Sequence, residues 1–83
     1  MPSQSAPSKA GRFSREHLIE VLSETRRTYS YGSFWVHTLS GETMRVEGCA
    51  LSEADVEPMV IYYHNGVLWA RPVSDFAQKF TAS

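Results

Sequence analysis

Three histidines, one cysteine and an arginine beside a tryptophan are the side chains that could do chemistry in this 83-residue chain. His17, His37 and His64 fall on three separate elements, and Cys49 has no second cysteine to pair with. A zinc site needs closely spaced His or Cys pairs, and no His-x-x-x-His or Cys-x-x-Cys occurs. No phosphate-binding glycine loop or nucleophile elbow is present either. The sequence therefore implies no cofactor and names no catalytic residue.

Arg71 is the most informative polar residue, because it lies two positions after Trp69 on one strand face. It could be a structural guanidinium, paired with Glu57 or Glu53 and packed along Trp69. It could also be a fork donor for a carboxylate or phosphate. His37 carries the same two readings, a satisfied strand histidine or a ligand contact. Cys49 reads as a small strand residue, since no basic neighbour in sequence marks it as reactive.

Charge is unevenly laid out. Residues 1–28 hold five basic groups against three acidic ones, and the remainder holds three against six. Phosphates supply most of non-specific nucleic-acid affinity, so an acidic body disfavours that partner even though Trp35 and Trp69 could stack on bases. One cysteine excludes an internal disulfide and suits a reducing compartment. No apolar run approaches a membrane span, and the N-terminus lacks the apolar core of a secretion signal. The chain reads as cytoplasmic.

The elements that would position these residues centre on a hairpin. Asn65-Gly66 stands between Met59-Val60-Ile61-Tyr62-Tyr63-His64 and Val67-Leu68-Trp69-Ala70-Arg71. A type I′ turn needs positive φ at both central positions, and Asn-Gly meets that need. The two-residue loop pairs Tyr63 with Leu68, Tyr62 with Trp69, Ile61 with Ala70 and Val60 with Arg71. Opposed residues share a face. One face then holds Met59, Ile61, Tyr63, Leu68 and Ala70, and reads as the core. The other holds Val60, Tyr62, His64, Val67, Trp69 and Arg71. It is too apolar to stand in water and requires cover from the N-terminal helix, a second copy of the chain, or a ligand.

Upstream, residues 1–12 are rich in Ser, Pro, Ala and Gly and read as a disordered tail. A single domain is expected over 13–83. Its first element is a helix over 14–27, with Ser14 as cap, Phe13 and Leu18 as a staple, and Leu18, Val21, Leu22 and Thr25 on the apolar face. Tyr29 and Tyr31 share parity before a strand over 33–39, and Ser40-Gly41-Glu42 makes a turn. A strand over 43–51 follows, with Met44, Val46, Gly48 and Ala50 on one face, and Gly48 marks a bulge or bend. Ser74 reads as the cap of a last helical turn over 74–80, where Phe76 and Phe80 form a ridge that plugs a barrel end. The fold class is mainly β. A small SH3-like half-open antiparallel barrel of four to five strands is expected over 29–73, with the N-terminal helix and the terminal turn.

Glu57-Pro58-Met59-Val60 with Tyr62, then Leu68-Trp69-Ala70-Arg71-Pro72 with Phe76, resembles a short bacterial and phage-borne family known as domain of unknown function 1653. His37, Gly48, Ala50 and Glu53 also match its pattern, over about Phe34 to Phe80. Val36 and Met44 stand where that family tends to have Arg and Tyr. The family has no assigned activity. The resemblance adds weight to Trp69, Arg71, His37 and Glu53 as a cluster. With Tyr62 these are the candidate binding residues. The leading reading is a non-catalytic binding or interaction module for a small ligand or protein partner, with a homodimer through the apolar face as one form. The alternatives are a small enzyme using His37, Glu53 and Arg71, and a nucleic-acid-binding barrel.

Overall fold

A computed structural model describes residues 12–83. All but Arg12 of the expected N-terminal tail lies outside that span. Helix α1 (Arg15–Thr28) starts where Ser14 accepts a hydrogen bond from the His17 amide at 3.1 Å, which satisfies one orphan donor of the first turn. Its inner side is Leu18, Val21, Leu22 and Thr25, while Ile19 is half exposed. Phe13 stacks on His17, with ring centroids 5.2 Å apart.

Five strands follow: β1 (Phe34–His37), β2 (Thr43–Leu51), β3 (Pro58–His64), β4 (Val67–Pro72) and β5 (Phe80–Ala82). Helix α2 (Val73–Lys79) joins β4 to β5. All pairs are antiparallel, in the order β4-β3-β2-β1-β5. The fold is thus mainly β, one open sheet curled as a small half-open barrel. The hairpin register is the one the turn dictates, with Tyr62 opposite Trp69 and Val60 opposite Arg71. Asn65 and Gly66 have φ of 53° and 76°, the left-handed values a type I′ turn requires.

The sheet buries the face opposite to the one expected. Val60 and Tyr62 are buried, whereas Tyr63, Leu68 and Ala70 are exposed. The pairing of β2 with β3 gives the reason. Arg45 lies opposite Tyr63, so the Tyr63 face carries charge, and Val46 lies opposite Tyr62. A bulge between Val46 and Gly48 inserts one residue, Glu47, into the ladder. It reverses the parity of β2, so Cys49, not Gly48 or Ala50, joins Met44 and Val46 in the core.

Cover for the inner face comes chiefly from the C-terminal segment. Phe76 is fully buried and stacks on Phe80, centroids 4.2 Å apart and planes 7° from parallel. Tyr29 and Trp35 meet Phe76 edge-on at 5.3 and 5.7 Å. Helix α1 rests mainly on β2, with a smaller contact on β3, and contributes Leu22 to the rim of the core. It is not the lid over the hairpin that the sequence suggested.

Smaller differences have local causes. Strand β1 ends at His37, because residues 38–40 turn and leave Leu39 almost bare. Tyr29 is buried at the end of α1 and Tyr31 is exposed, so the two do not share a role. Helix α2 begins at Val73 with Pro72 at its cap position. Ser74 caps nothing and donates its hydroxyl proton to Glu57 Oε2 at 2.7 Å. Cys49 is buried, its thiol donating to the Tyr29 carbonyl at 3.3 Å, and burial pushes the pKa of that thiol up.

Candidate functional site

The two edges of the sheet, β4 and β5, form no ladder with each other. A cleft of about 340 Å³ lies along this side of the barrel, and its walls come from every strand. Met44, Tyr62 and Phe80 make a buried apolar floor. Trp69 and Arg71 of β4 stand on one side, and His37 of β1 with Ser40 of the following turn on the other. Glu42 and His64 complete the lining.

Strand geometry sets most of this. Tyr62 and Trp69 are directly opposed, and Arg71 follows two residues on, so the register alone puts these three on one face. Tyr62 is 5% exposed and forms floor, while Trp69 is 50% exposed and forms wall. The indole N–H of Trp69 donates to the His64 carbonyl at 3.2 Å, which fixes the ring against the turn end of β3.

Arg71 is held by two partners. Its Nε donates to the Tyr62 hydroxyl at 3.2 Å, and Nη1 donates to Asp75 Oδ2 at 2.7 Å. Asp75 also takes Lys79 at 3.2 Å. The guanidinium carbon lies 5.7 Å from the Phe80 ring centre, within cation–π range. The Tyr62 hydrogen bond, and then the Asp75 carboxylate, hold the Arg71 pKa above its ordinary value. Arg71 in turn, with help from Lys79, holds the Asp75 carboxyl below its usual range. The sequence pointed to Glu57 or Glu53 as the partner of Arg71. The i,i+4 spacing from Arg71 to Asp75 displaces them, because α2 starts directly after β4 and brings Asp75 back beside the strand end.

Two hydrogen-bonded histidines line the same cleft. His37 Nδ1 accepts from the Ser40 backbone N–H at 3.3 Å, with the Ser40 hydroxyl also 3.3 Å away. His64 Nε2 lies 3.3 Å from Glu42 Oε1. The ring of His37 meets Phe80 edge-on at 5.0 Å.

Four of the five candidate residues, His37, Tyr62, Trp69 and Arg71, therefore share one cleft. Glu53 does not line it; it sits in the exposed turn over 53–55 between β2 and β3. Ser40, Glu42, Met44, His64 and Phe80 complete the lining without having been singled out for a site. His64 could have been found from the sequence, since it shares the Trp69 face of the hairpin. Glu42 and Phe80 depend on the curl of the sheet, which no local pattern reports. Among the described residues no group of three or more His, Cys, Asp or Glu side chains is placed to hold a metal ion. No helix there is long and apolar enough to cross a membrane.

Comparison of the chain with protein-family models, with curated proteins and with solved structures finds no match.

Proposed function

We propose that this chain is a non-catalytic binding module whose cleft between the unpaired sheet edges takes a small ligand. The observation that carries the reading is the lining itself. A buried apolar floor is ringed by a few fixed polar groups, in a volume within the range typical of small-molecule sites. The resemblance to the domain of unknown function 1653 family is consistent with it, since His37, Tyr62, Trp69 and Arg71 all belong to that pattern and line the cleft.

The hydrogen bonding favours binding over catalysis. Ser40 Oγ approaches His37 Nδ1 as a nucleophile approaches a base, at 3.3 Å. The same nitrogen accepts the Ser40 amide, and Ser40 Oγ accepts the Glu42 amide at 3.2 Å. These bonds close the turn between β1 and β2. A catalytic base also needs a group that orients its far nitrogen, and Glu53, the acid considered for this role, lies in another loop.

A thermal-shift screen of small organic acids, amines and neutral aromatics on the full chain tests the reading. A ligand at 100 times its Kd adds about 2.7 kcal/mol to folding stability, a rise of several degrees in Tm for a domain this small. The rise is expected to vanish in Trp69→Ala, read against that variant's own unliganded Tm, since truncating a half-buried indole itself costs about 2–3 kcal/mol. A screen without hits, or hits that persist undiminished in Trp69→Ala, refutes a ligand site in this cleft.

A further inference from the structure

We infer that the ligand is a flat aromatic monocarboxylate, its ring on the Met44–Tyr62–Phe80 floor and its carboxylate between Arg71 and His37. This rests on the binding-module reading and narrows it to one chemical class. Among the described residues the hydrogen-bonding groups of the cleft divide into spent and unspent. The Trp69 N–H is spent on the His64 carbonyl and His64 Nε2 on Glu42. Arg71 spends Nε and Nη1, which leaves Nη2 without a partner. His37 accepts the Ser40 amide at Nδ1, so its neutral ring carries the proton on Nε2, and that N–H also lacks a partner. The unspent donors, Arg71 Nη2, His37 Nε2 and the Tyr62 hydroxyl proton, outnumber the one unspent neutral acceptor, His64 Nδ1, and the balance asks for an acceptor-rich ligand. Glu42 is the charged acceptor at the cleft, and its side chain is more than half exposed and already engaged by His64.

The sign and size of the ligand charge follow. A cationic ligand would meet the Arg71 guanidinium, which already lies over the Phe80 ring. A dianion would face Glu42 in the lining and Asp75 at the back of Arg71. A single carboxylate matches an arginine fork with one free arm plus a neutral N–H donor. The ring is inferred from the floor, where aromatic surface dominates, and from Trp69, whose N–H is turned away and whose carbon surface remains.

The test is a titration of the full chain by ¹H–¹⁵N NMR with 2-naphthoate, 2-naphthamide, 2-naphthylmethylammonium and 2-naphthyl phosphate. The Trp69 indole, the Arg71 Nε and the amides of Glu42 and His64 serve as reporters. Naphthoate is expected to shift these signals and to bind at least about tenfold more tightly than the amide, since a hydrogen bond to a charged group is lost. Arg71→Gln is expected to bring that ratio close to one. His37→Phe keeps a ring against Phe80, so it reports even if Arg71→Gln unfolds, and it is expected to lower the ratio. An amide, ammonium or phosphate that binds as tightly as the acid at the same signals overturns the carboxylate class and leaves a ligand site standing. If none of the four moves these signals while another compound from the screen does, the ligand class falls and the binding reading survives. If no compound of any class moves them, both fall.

Discussion

Phe76→Ala is the sharpest test of how the fold is held shut. Phe76 is fully buried and touches four aromatic rings: Phe80 stacked at 4.2 Å, Tyr29 and Trp35 edge-on, and Tyr62 tilted at 5.8 Å. A buried phenylalanine removes about 150–200 Å² from water, worth about 4–5 kcal/mol as an upper bound. Measured Phe→Ala truncations in cores cost about 3–5 kcal/mol, cavity included. A domain of this length has a total stability of about 4–10 kcal/mol. The truncation should therefore consume from about a third of the stability to all of it. Phe76→Leu keeps most of the volume and loses the ring contacts, at about 1–2 kcal/mol. Urea unfolding followed by tryptophan fluorescence and far-ultraviolet circular dichroism gives both numbers. A loss below about 1 kcal/mol for Phe76→Ala would mean that α2 is an ornament on a self-sufficient sheet, and the account of the core given above would be wrong.

Gly66→Ala should cost about 1–2 kcal/mol, because φ is 76° there while an added Cβ meets only the Tyr63 hydroxyl at an ordinary 3.8 Å. Gly48→Ala is its control: φ is not positive and a Cβ meets nothing within 4 Å, so urea midpoints should hardly move. Asp75 has a depressed folded-state pKa, so its contribution to stability is present above the ordinary carboxylate range and is lost as pH falls through the folded value, below about 4. Melting scans at pH 7 and pH 3 should show Asp75→Asn below the parent at pH 7 and converging with it at pH 3; an equal gap at both values would remove the ion pair from the account. Leu68→Lys should change stability by no more than about 0.5 kcal/mol, as Leu68 is 60% exposed on an edge strand. If copies associate through the outer face, where Phe34, Tyr63 and Leu68 are all at least half exposed, light scattering will show the parent heavier than this variant. A loss of several kcal/mol for Leu68→Lys would instead restore the Leu68 face as core.

The hairpin was legible because its signal is local. Asn65-Gly66 fixes the turn type, the turn fixes the register, and the register puts Tyr62, Trp69 and Arg71 on one face. Which face turns inward was not legible from the hairpin, since both are apolar. That choice is made one strand away, where Arg45 faces Tyr63 and Val46 faces Tyr62. The bulge at Glu47 then moves Cys49 inward, a parity change that simple alternation along β2 cannot show. Arg71 and Asp75 were missed as a pair because i,i+4 neighbours are a helical relation, and here the relation spans a strand end and a helix start.

The cleft itself has its origin in the length of α2. The chain leaves β4 at one edge of the sheet and must deliver β5 to the other edge, beside β1. Seven helical residues reach about 10 Å, roughly two strand spacings. A connection of two residues would have made a second hairpin and placed β5 directly against β4. The helix instead carries Phe76 into the barrel and sets Phe80 down beside Arg71, whose guanidinium carbon lies 5.7 Å from the ring centre. The cleft beside them is floored by Met44, Tyr62 and Phe80 and walled in part by side chains of the two strands that form no ladder with each other. The same seven residues close the core with Phe76 and keep β5 from following β4 as its hairpin partner, so the plug and the cleft share one connection.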